Sequence, residues 1–246
     1  MKWAGVDNFK RLFTDPEVLQ SLVNTLKYVV MVVPAVVVLS LLIAVLLNQK
    51  IKGMTIYRTM YFLPVVAAPA AVAMIWKWLF NSDYGLINFL FSKLGLNGID
   101  WLSNPDYAIL TIIIVGIWSG IGTNMIILLA GLQEIPKDYY ESAEIDGAGA
   151  MRRFFSITLP LITPTLFFVV VTTIIGAFQV FDVIFMMFLP TSAAMYKTQS
   201  LAYLFYKHSY LLNDKGYGST IVVLLLVVIL AITAIQLKLQ KKCVHY

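Results

Sequence analysis

From Glu141 to Pro160 the chain reads E-S-A-E-I-D-G-A-G-A-M-R-R-F-F-S-I-T-L-P, a charged stretch between two long apolar runs, about Tyr107 to Leu132 before it and Leu161 to Leu189 after it. Runs of that length suit a bilayer, whose hydrocarbon core, ~30 Å thick, is crossed by roughly 20 helical residues. The stretch between them therefore lies at a membrane surface, and its pattern is ordered. Tyr140, Ala143, Glu144 and Gly147 stand at i, i+3, i+4 and i+7, so they share one helical face on which alanine and glycine let another backbone come close. Gly147 also permits a sharp turn that a residue with a β-carbon resists. Beyond it Met151, Phe154, Phe155 and Thr158 make a second, apolar face, and Pro160 is expected to stop that helix where the next span begins. Two short helices at an angle form a knob, residues 133–160, able to pass a rigid-body push into the spans it joins.

Composition agrees with the bilayer assignment: 60% of residues are hydrophobic and 13% charged, with a mean hydropathy of +0.82. A soluble domain runs nearer 45–50% apolar and about 25% charged. Working outward from the knob, five apolar runs are long enough to span: about Leu26 to Leu47, Met60 to Phe80, Tyr107 to Leu132, Leu161 to Leu189 and Ser219 to Leu237. The expected fold is an all-α membrane protein, one transmembrane domain over residues 1–246, with the knob between the third and fourth spans. The fourth run exceeds the bilayer requirement, which predicts tilt or a break near Gly176. The net charge of +5 comes from lysines and arginines gathered at the ends of these runs, where lipid headgroups explain them; nucleic acid is not an expected partner, and membrane lipid is. The single cysteine, Cys243, forms no internal disulfide and reads as a spectator or an acylation site.

Basic residues also orient the spans. One set of loops holds Lys50, Lys52, Arg58, Lys137, Arg152, Arg153, Lys238, Lys241 and Lys242; the other holds Lys2, Lys10, Arg11, Lys27, Lys93, Lys197, Lys207 and Lys215. The first set occupies far fewer residues, so its positive charge is roughly twice as dense and it is assigned to the cytoplasm. The knob is then cytoplasmic, and Lys10 and Arg11 fall on the side poor in positive charge. A leading span ahead of Met1 would place them there without strain; the alternative is that the first span inserts unaided.

The outer segments carry aromatics. Gly85 to Leu96 is apolar but too short to span and suits the interface, flanked by Trp76, Trp78, Tyr84 and Trp101 as belt residues. Thr191 to Gly218 holds Tyr196, Tyr203, Tyr206, Tyr210 and Tyr217, expected as interface anchors or as a surface for an external partner. There is no G-x-x-x-x-G-K-[ST] phosphate loop, so this chain cannot by itself bind and hydrolyse a nucleotide in that manner. His208 and His245 are not at ligand spacing, no catalytic or metal-binding set is expected, and no cofactor is called for. Within the spans the strongly polar positions are Asn124, Gln179 and Asp182, with Lys77 at an edge, too few for a proton relay.

E-S-A-E-I-D-G-A, eight residues and I-T-L-P resemble the coupling motif of the inner-membrane permease subunits of binding-protein-dependent ABC importers. That pattern is E-A-A, two residues, D-G-A, eight residues, I, one residue, L-P. Glu141, Ala143, Asp146, Gly147, Ala148, Ile157, Leu159 and Pro160 match it, with Ser142 where alanine is usual. The resemblance covers almost the whole chain and points to the carbohydrate branch, the maltose-type and glycerol-phosphate-type permeases: Asn8-Phe9, Asn24-Thr25, Arg58 with Phe62-Leu63-Pro64, Ile87-Asn88, Trp101-Leu102, Phe178, Phe181-Asp182 and Gly216-Tyr217 resemble that branch. Leu189-Pro190-Thr191-Ser192 departs from it, standing where a threonine followed by Gly-Gly-Pro is usual, and the family usually has another span ahead of Asn8.

The resemblance implies a permease subunit of the bacterial or archaeal cell membrane, forming half of a sugar path. Its partners would be cytoplasmic ATP-binding cassette subunits, a second permease subunit in a hetero-dimer, and an extracytoplasmic solute-binding protein. The eight matching motif residues would couple ATP-driven closure to the spans, and no bond would be made or broken on this chain. For the path, Trp118, Asn124, Gln179 and Asp182 offer stacking and hydrogen-bonding groups suited to a polyhydroxylated solute; helix packing is the competing role, since Gly116 and Gly120 form a small-xxx-small pair. An importer permease for amino acids, peptides or ions would keep the knob and differ elsewhere. A secondary transporter would need inverted repeats with polar groups at the midplane, and a membrane enzyme would need clustered acids or histidines.

Overall fold

The computed structural model describes residues 5–49 and 53–243, with side chains to residue 240. Lys2, Lys50, Lys52 and His245 lie outside the described residues, as do the side chains of Lys241, Lys242 and Cys243. The described chain is helical, in the order α1 (Asp7–Thr14), α2 (Pro16–Leu47), α3 (Met54–Val66), α4 (Pro69–Leu79), α5 (Leu86–Lys93), α6 (Pro105–Gln133), α7 (Lys137–Ile145), α8 (Ala150–Arg153), α9 (Leu159–Leu161), α10 (Thr163–Phe178), α11 (Asp182–Met187), α12 (Ala193–Thr198), α13 (Leu201–Tyr206) and α14 (Lys215–Cys243). Turns of π-helix stand at Phe154–Thr158 and Lys207–Leu211. By length and composition α2, α6 and Lys215–Gln240 of α14 can each cross a membrane, and counting α3 with α4 and Ala150–Leu161 with α10 as broken spans gives five. Helices suit that medium because every backbone hydrogen bond closes within the segment.

The breaks follow from proline. Pro69 sits at the first position of α4, and Ala68 before it is extended, φ −59° and ψ 132°, as the ring of a following proline requires. The second expected span is thus two helices with a hinge at Ala67 and Ala68. Pro160 does not stop its helix. The π-helical turn at Phe154–Thr158, in which Leu159 N–H donates to Phe154 O, absorbs its missing donor, and the chain stays helical to Leu161. The bend, 68°, comes at Ile162, ahead of Pro164. Pro164 cannot donate to Pro160 O, and the Thr163 hydroxyl does so instead at 2.7 Å. The expected break near Gly176 lies slightly later: Gly176 is inside α10, and the helix stops at Phe178 and restarts at Asp182.

One compact unit comprises residues 1–32, 67–117 and 175–231. Leu12, Val18, Leu201, Leu204, Tyr217 and Ile221 form a core in it, and α4 packs on α11. Asn24 donates to Tyr196 O and Gln199 O, Thr25 Oγ1 accepts from Leu201 N–H, and Ser192 and Ser200 cap α12 and α13. The outer segment Thr191 to Gly218 is therefore a folded helical pack. Tyr203 and Tyr217 are buried within it rather than anchored in the interface, while Tyr196 and Tyr210 stay exposed. Trp101 is likewise buried, its indole N–H donating to Asn88 Oδ1 at 3.0 Å. Arg11, anomalous by charge, is neutralised: its guanidinium donates to Asp214 at 2.8 Å and lies 3.8 Å from the centre of the Tyr217 ring, whose hydroxyl donates to Asp15. Lys207 pairs with Glu17, and His208 is buried edge-on to Tyr217 with Glu17 3.9 Å away. Burial pushes the His208 imidazole below its ordinary pKa, against the pull of the Glu17 carboxylate. Asp15 is held below the usual carboxylate range: its burial acts upward and is outweighed by hydrogen bonds from Tyr217 and the Glu17 N–H.

The other unit comprises residues 33–66, 118–174 and 232–246. Leu41, Ala44 and Leu47 of α2, Met125, Leu128, Leu129 and Leu132 of α6, and Ile162 and Val169 form its core. Glycines on α6 set its closest approaches. A β-carbon on Gly122 would collide with the Tyr61 carbonyl oxygen of α3, and one on Gly131 would stand 2.6 Å from Thr165, so larger residues there would push helices apart.

Candidate functional site

The knob is built around the end of α7. Ala148 N–H donates to Ala143 O at 2.8 Å and Gly147 N–H to Glu144 O at 3.0 Å, a Schellman motif with Asp146 as the C-cap and Gly147, φ +75°, in the left-handed position after it. The spacing of Ala143, Asp146, Gly147 and Ala148 is thus that of one helix ending. Gly147 does not continue the α7 face as periodicity predicted; it terminates α7, and nothing lies within 4 Å of where its β-carbon would be. Two contacts tie α7 to the helical stretch after the turn: Tyr140 and Thr158 share a hydrogen bond of 3.0 Å between hydroxyls, and Arg153 donates to Glu144 at 3.3 Å.

Ala143, Asp146, Ala148, Arg152, Ser156 and Ile157 surround a hollow of about 160 Å³. Four of the eight motif residues therefore meet at one place, with Glu141 and Gly147 exposed nearby. Leu159 packs against the core of its unit and Pro160 is half-buried. In the same segment Ile145, Met151 and Phe155 are 87%, 74% and 60% exposed, apolar groups among charged ones that this chain leaves uncovered.

The four residues expected along the path divide. Asn124 is buried on α6, donating to Gly120 O at 3.0 Å and accepting from the Thr173 hydroxyl at 3.2 Å, and so bonds α6 to α10 within its unit. Trp118, in the same unit, is 41% exposed. Gln179 and Asp182 belong to the other unit, both exposed, at the two ends of the break between α10 and α11. The Ser200 hydroxyl satisfies the Val180 carbonyl freed in that break, at 2.6 Å. Beside it Phe181, Phe185 and Tyr206 cluster, with ring centres 5.0 to 5.3 Å apart. Sequence reasoning missed that cluster, although Phe181 and Phe185 at i and i+4 could have signalled it. Asn124→Leu is expected to cost about 1 kcal/mol, the worth of an interhelical bond in a membrane. It should lower the midpoint of SDS-induced unfolding while leaving uptake per folded molecule unchanged if packing is its role; normal unfolding with lost uptake would assign Asn124 to the path.

The profile of a family described as binding-protein-dependent transport system inner membrane component matches residues 15–244. The chain belongs to that family. Among relatives of this permease, a probable ABC transporter permease protein, YesP, of Bacillus subtilis (strain 168) is 38% identical over all of this chain and 80% of its own length. The sn-glycerol-3-phosphate transport system permease protein UgpA of Yersinia pestis is 33% identical over all of this chain and 82% of its own. The trehalose/maltose transport system permease protein MalF of Thermococcus litoralis is 35% identical, covering 97% of this chain and 80% of that one. In fold the permease is similar to a chain of a bacterial alginate ABC transporter crystallised with an alginate pentasaccharide-bound periplasmic protein, with a TM-score of 0.90 and 23% identity over 97% of this chain and 83% of that chain. It is thus a multi-pass transport subunit of a membrane importer rather than an enzyme.

Proposed function

We propose that this permease forms half of the translocation path of an ATP-driven importer for a sugar or related polyhydroxylated solute. The observation that carries the coupling part is the helix ending at Gly147. It holds Ala143, Asp146, Ala148 and Ile157 around one hollow, in a segment that also carries the uncovered Ile145, Met151 and Phe155. A cytoplasmic ATPase subunit covers that apolar surface, and its closure on ATP is passed through the Tyr140–Thr158 bond and the continuous helix Ala150–Leu161 into α10. A second permease subunit completes the path, and an external binding protein delivers the solute. The sugar assignment draws on relatives named for glycerol phosphate and for trehalose and maltose, and on exposed Gln179 and Asp182 beside an aromatic cluster.

Orientation tests the scheme directly. Reporter fusions should place Arg153 inside and Asn97 and Lys207 outside, because the surface at Met151 and Phe155 must meet a cytoplasmic protein. An external reporter after Arg153 would remove the coupling role. Cysteines at Ala150 or Met151 should then cross-link to the ATPase in the assembled transporter; cross-links only to lipid or to the other permease would also count against it.

A further inference from the structure

The geometry points to a binding site for the phosphate of an anionic phospholipid in the crevice between α3 and α6. Arg58, Thr59 and Phe62 of α3 and Ile126, Leu129 and Gln133 of α6 line a crevice of about 330 Å³. Among the described residues Arg58 is its one charged group, and the Arg58 Nε is buried with no hydrogen-bond partner among them. No carboxylate pairs with Arg58 among the described residues, although Arg11, Arg153 and Lys207 each have one. A buried donor left unmade costs free energy that a bound acceptor recovers, and the cost is larger on a charged group. An anionic acceptor recovers the most, because its hydrogen bond to the cation is charge-assisted, and the planar guanidinium fork fits a phosphate in two-point contact.

The rest of the lining says which phosphate. Gln133 is the last residue of α6 and Arg58 lies in the second turn of α3, so the polar end of the crevice sits at one end of these helices, the end from which residues 133–160 leave. Thr59 and Gln133 add neutral polar groups there. Phe62, Ile126 and Leu129 line the remainder, a wall that a soluble anion cannot use and that a glycerol backbone and acyl chain can. Basic pockets between membrane helices on the cytoplasmic side hold acidic headgroups in this manner. Assignment to the inner leaflet rests on the orientation proposed above; selection of the lipid by Arg58 does not.

Native mass spectrometry of the full chain in detergent, titrated with phosphatidylglycerol and with phosphatidylcholine, tests the site. The parent should hold phosphatidylglycerol roughly fivefold more tightly than phosphatidylcholine, the preference expected of one basic residue at an anionic surface. Arg58→Gln should abolish that preference. Ala130→Phe, at an exposed alanine of the same crevice, should weaken phosphatidylglycerol binding with the arginine intact, and it decides the matter should Arg58→Gln fail to fold. An unchanged preference in Arg58→Gln, or, where that variant does not fold, unchanged phosphatidylglycerol binding in Ala130→Phe, overturns the site. Displacement of the lipid by millimolar inorganic phosphate also overturns it, in favour of a soluble anion, as does a photo-reactive group at Thr59 that captures polypeptide instead of lipid in the assembled transporter. The titration uses the chain without its ATPase, so failure of the coupling variants leaves it standing, whereas an external reporter at Arg153 would move the site to the other leaflet without removing the selection.

Discussion

Gly147→Leu is expected to reduce uptake below about a tenth of the parent rate while the permease reaches the membrane at its normal level. The residue holds φ +75° at the end of α7, and an L-residue with a β-carbon pays roughly 1–2 kcal/mol in that conformation. Nothing lies within 4 Å of the added β-carbon, so the cost is conformational rather than a clash. It is relieved by undoing the two hydrogen bonds that end the helix, which displaces Asp146 and Ala148 from the hollow they border. Each 1.4 kcal/mol withdrawn from the docking conformation is about tenfold in its population. Insertion is spared because the turn lies outside every span. Gly147→Asn, which tolerates left-handed backbone better, should retain more uptake than Gly147→Leu. Gly149→Leu should retain nearly all, since Gly149 has an ordinary φ of −66° and open space around it. Uptake into vesicles and co-purification of the ATPase are the measurements; equal uptake by the Gly147 and Gly149 leucine variants would refute a coupling role for the helix ending. Glu141→Lys, at an exposed position, should weaken co-purification through charge alone.

The knob was legible because its spacing encodes a local event. A helix ending needs a left-handed residue one place past its cap, and Asp146-Gly147-Ala148 after Ala143 supplies it within six residues. Periodicity misplaced Gly147 on the face of α7, since a count of i+7 carries no information on where the last helical hydrogen bond falls. Pro160 misled for a related reason. A proline costs a donor, but whether the helix stops depends on whether the chain can widen by one residue ahead of it, and the turn Phe154–Thr158 does so. Five spans are reached when each bent pair of helices counts as one, because hydrocarbon thickness sets length; the break at Ala67–Ala68 was not foreseen and the one expected near Gly176 falls at Gln179–Phe181, and such a break costs little only if something else satisfies the freed backbone groups. Ser200 does that for Val180, twenty residues away in sequence, and no local pattern announces it.

The outer segment hid its order for the same reason. Tyrosines spaced three and four apart are equally consistent with an interface belt and with a core, and it is Asn24 and Thr25, more than 170 residues earlier, that fix α12 and α13 and bury Tyr203. Arg11 looked anomalous as a charge counted alone. Beside Asp214 and the Tyr217 ring it is a paired group, so its count among positive charges overstated the conflict with orientation.

Gln179→Leu and Asp182→Leu are each expected to weaken uptake roughly fivefold, from about 1 kcal/mol per lost hydrogen bond to a hydroxyl, and the double variant by more than about tenfold. Both side chains are exposed at the break between α10 and α11, so neither leucine creates a cavity or strands a buried partner, and normal amounts of folded permease should result. They belong to a different unit from residues 133–160, so ATPase association should be unaffected, which separates loss of solute recognition from loss of coupling. The conservative variants discriminate further. Gln179→Glu keeps the acceptor and removes the amide donors, and should raise the concentration for half-maximal uptake less than leucine does. Tyr206→Ala removes the ring that packs with Phe181 and Phe185, and should raise that concentration as well if sugar faces are held against the cluster. Trp118→Ala serves as the comparison in the other unit. Saturation curves for uptake that coincide between the parent and the Gln179→Leu/Asp182→Leu double variant, at equal amounts of permease, would mean that solute passes without touching the break, and the search for the path would move to Trp118.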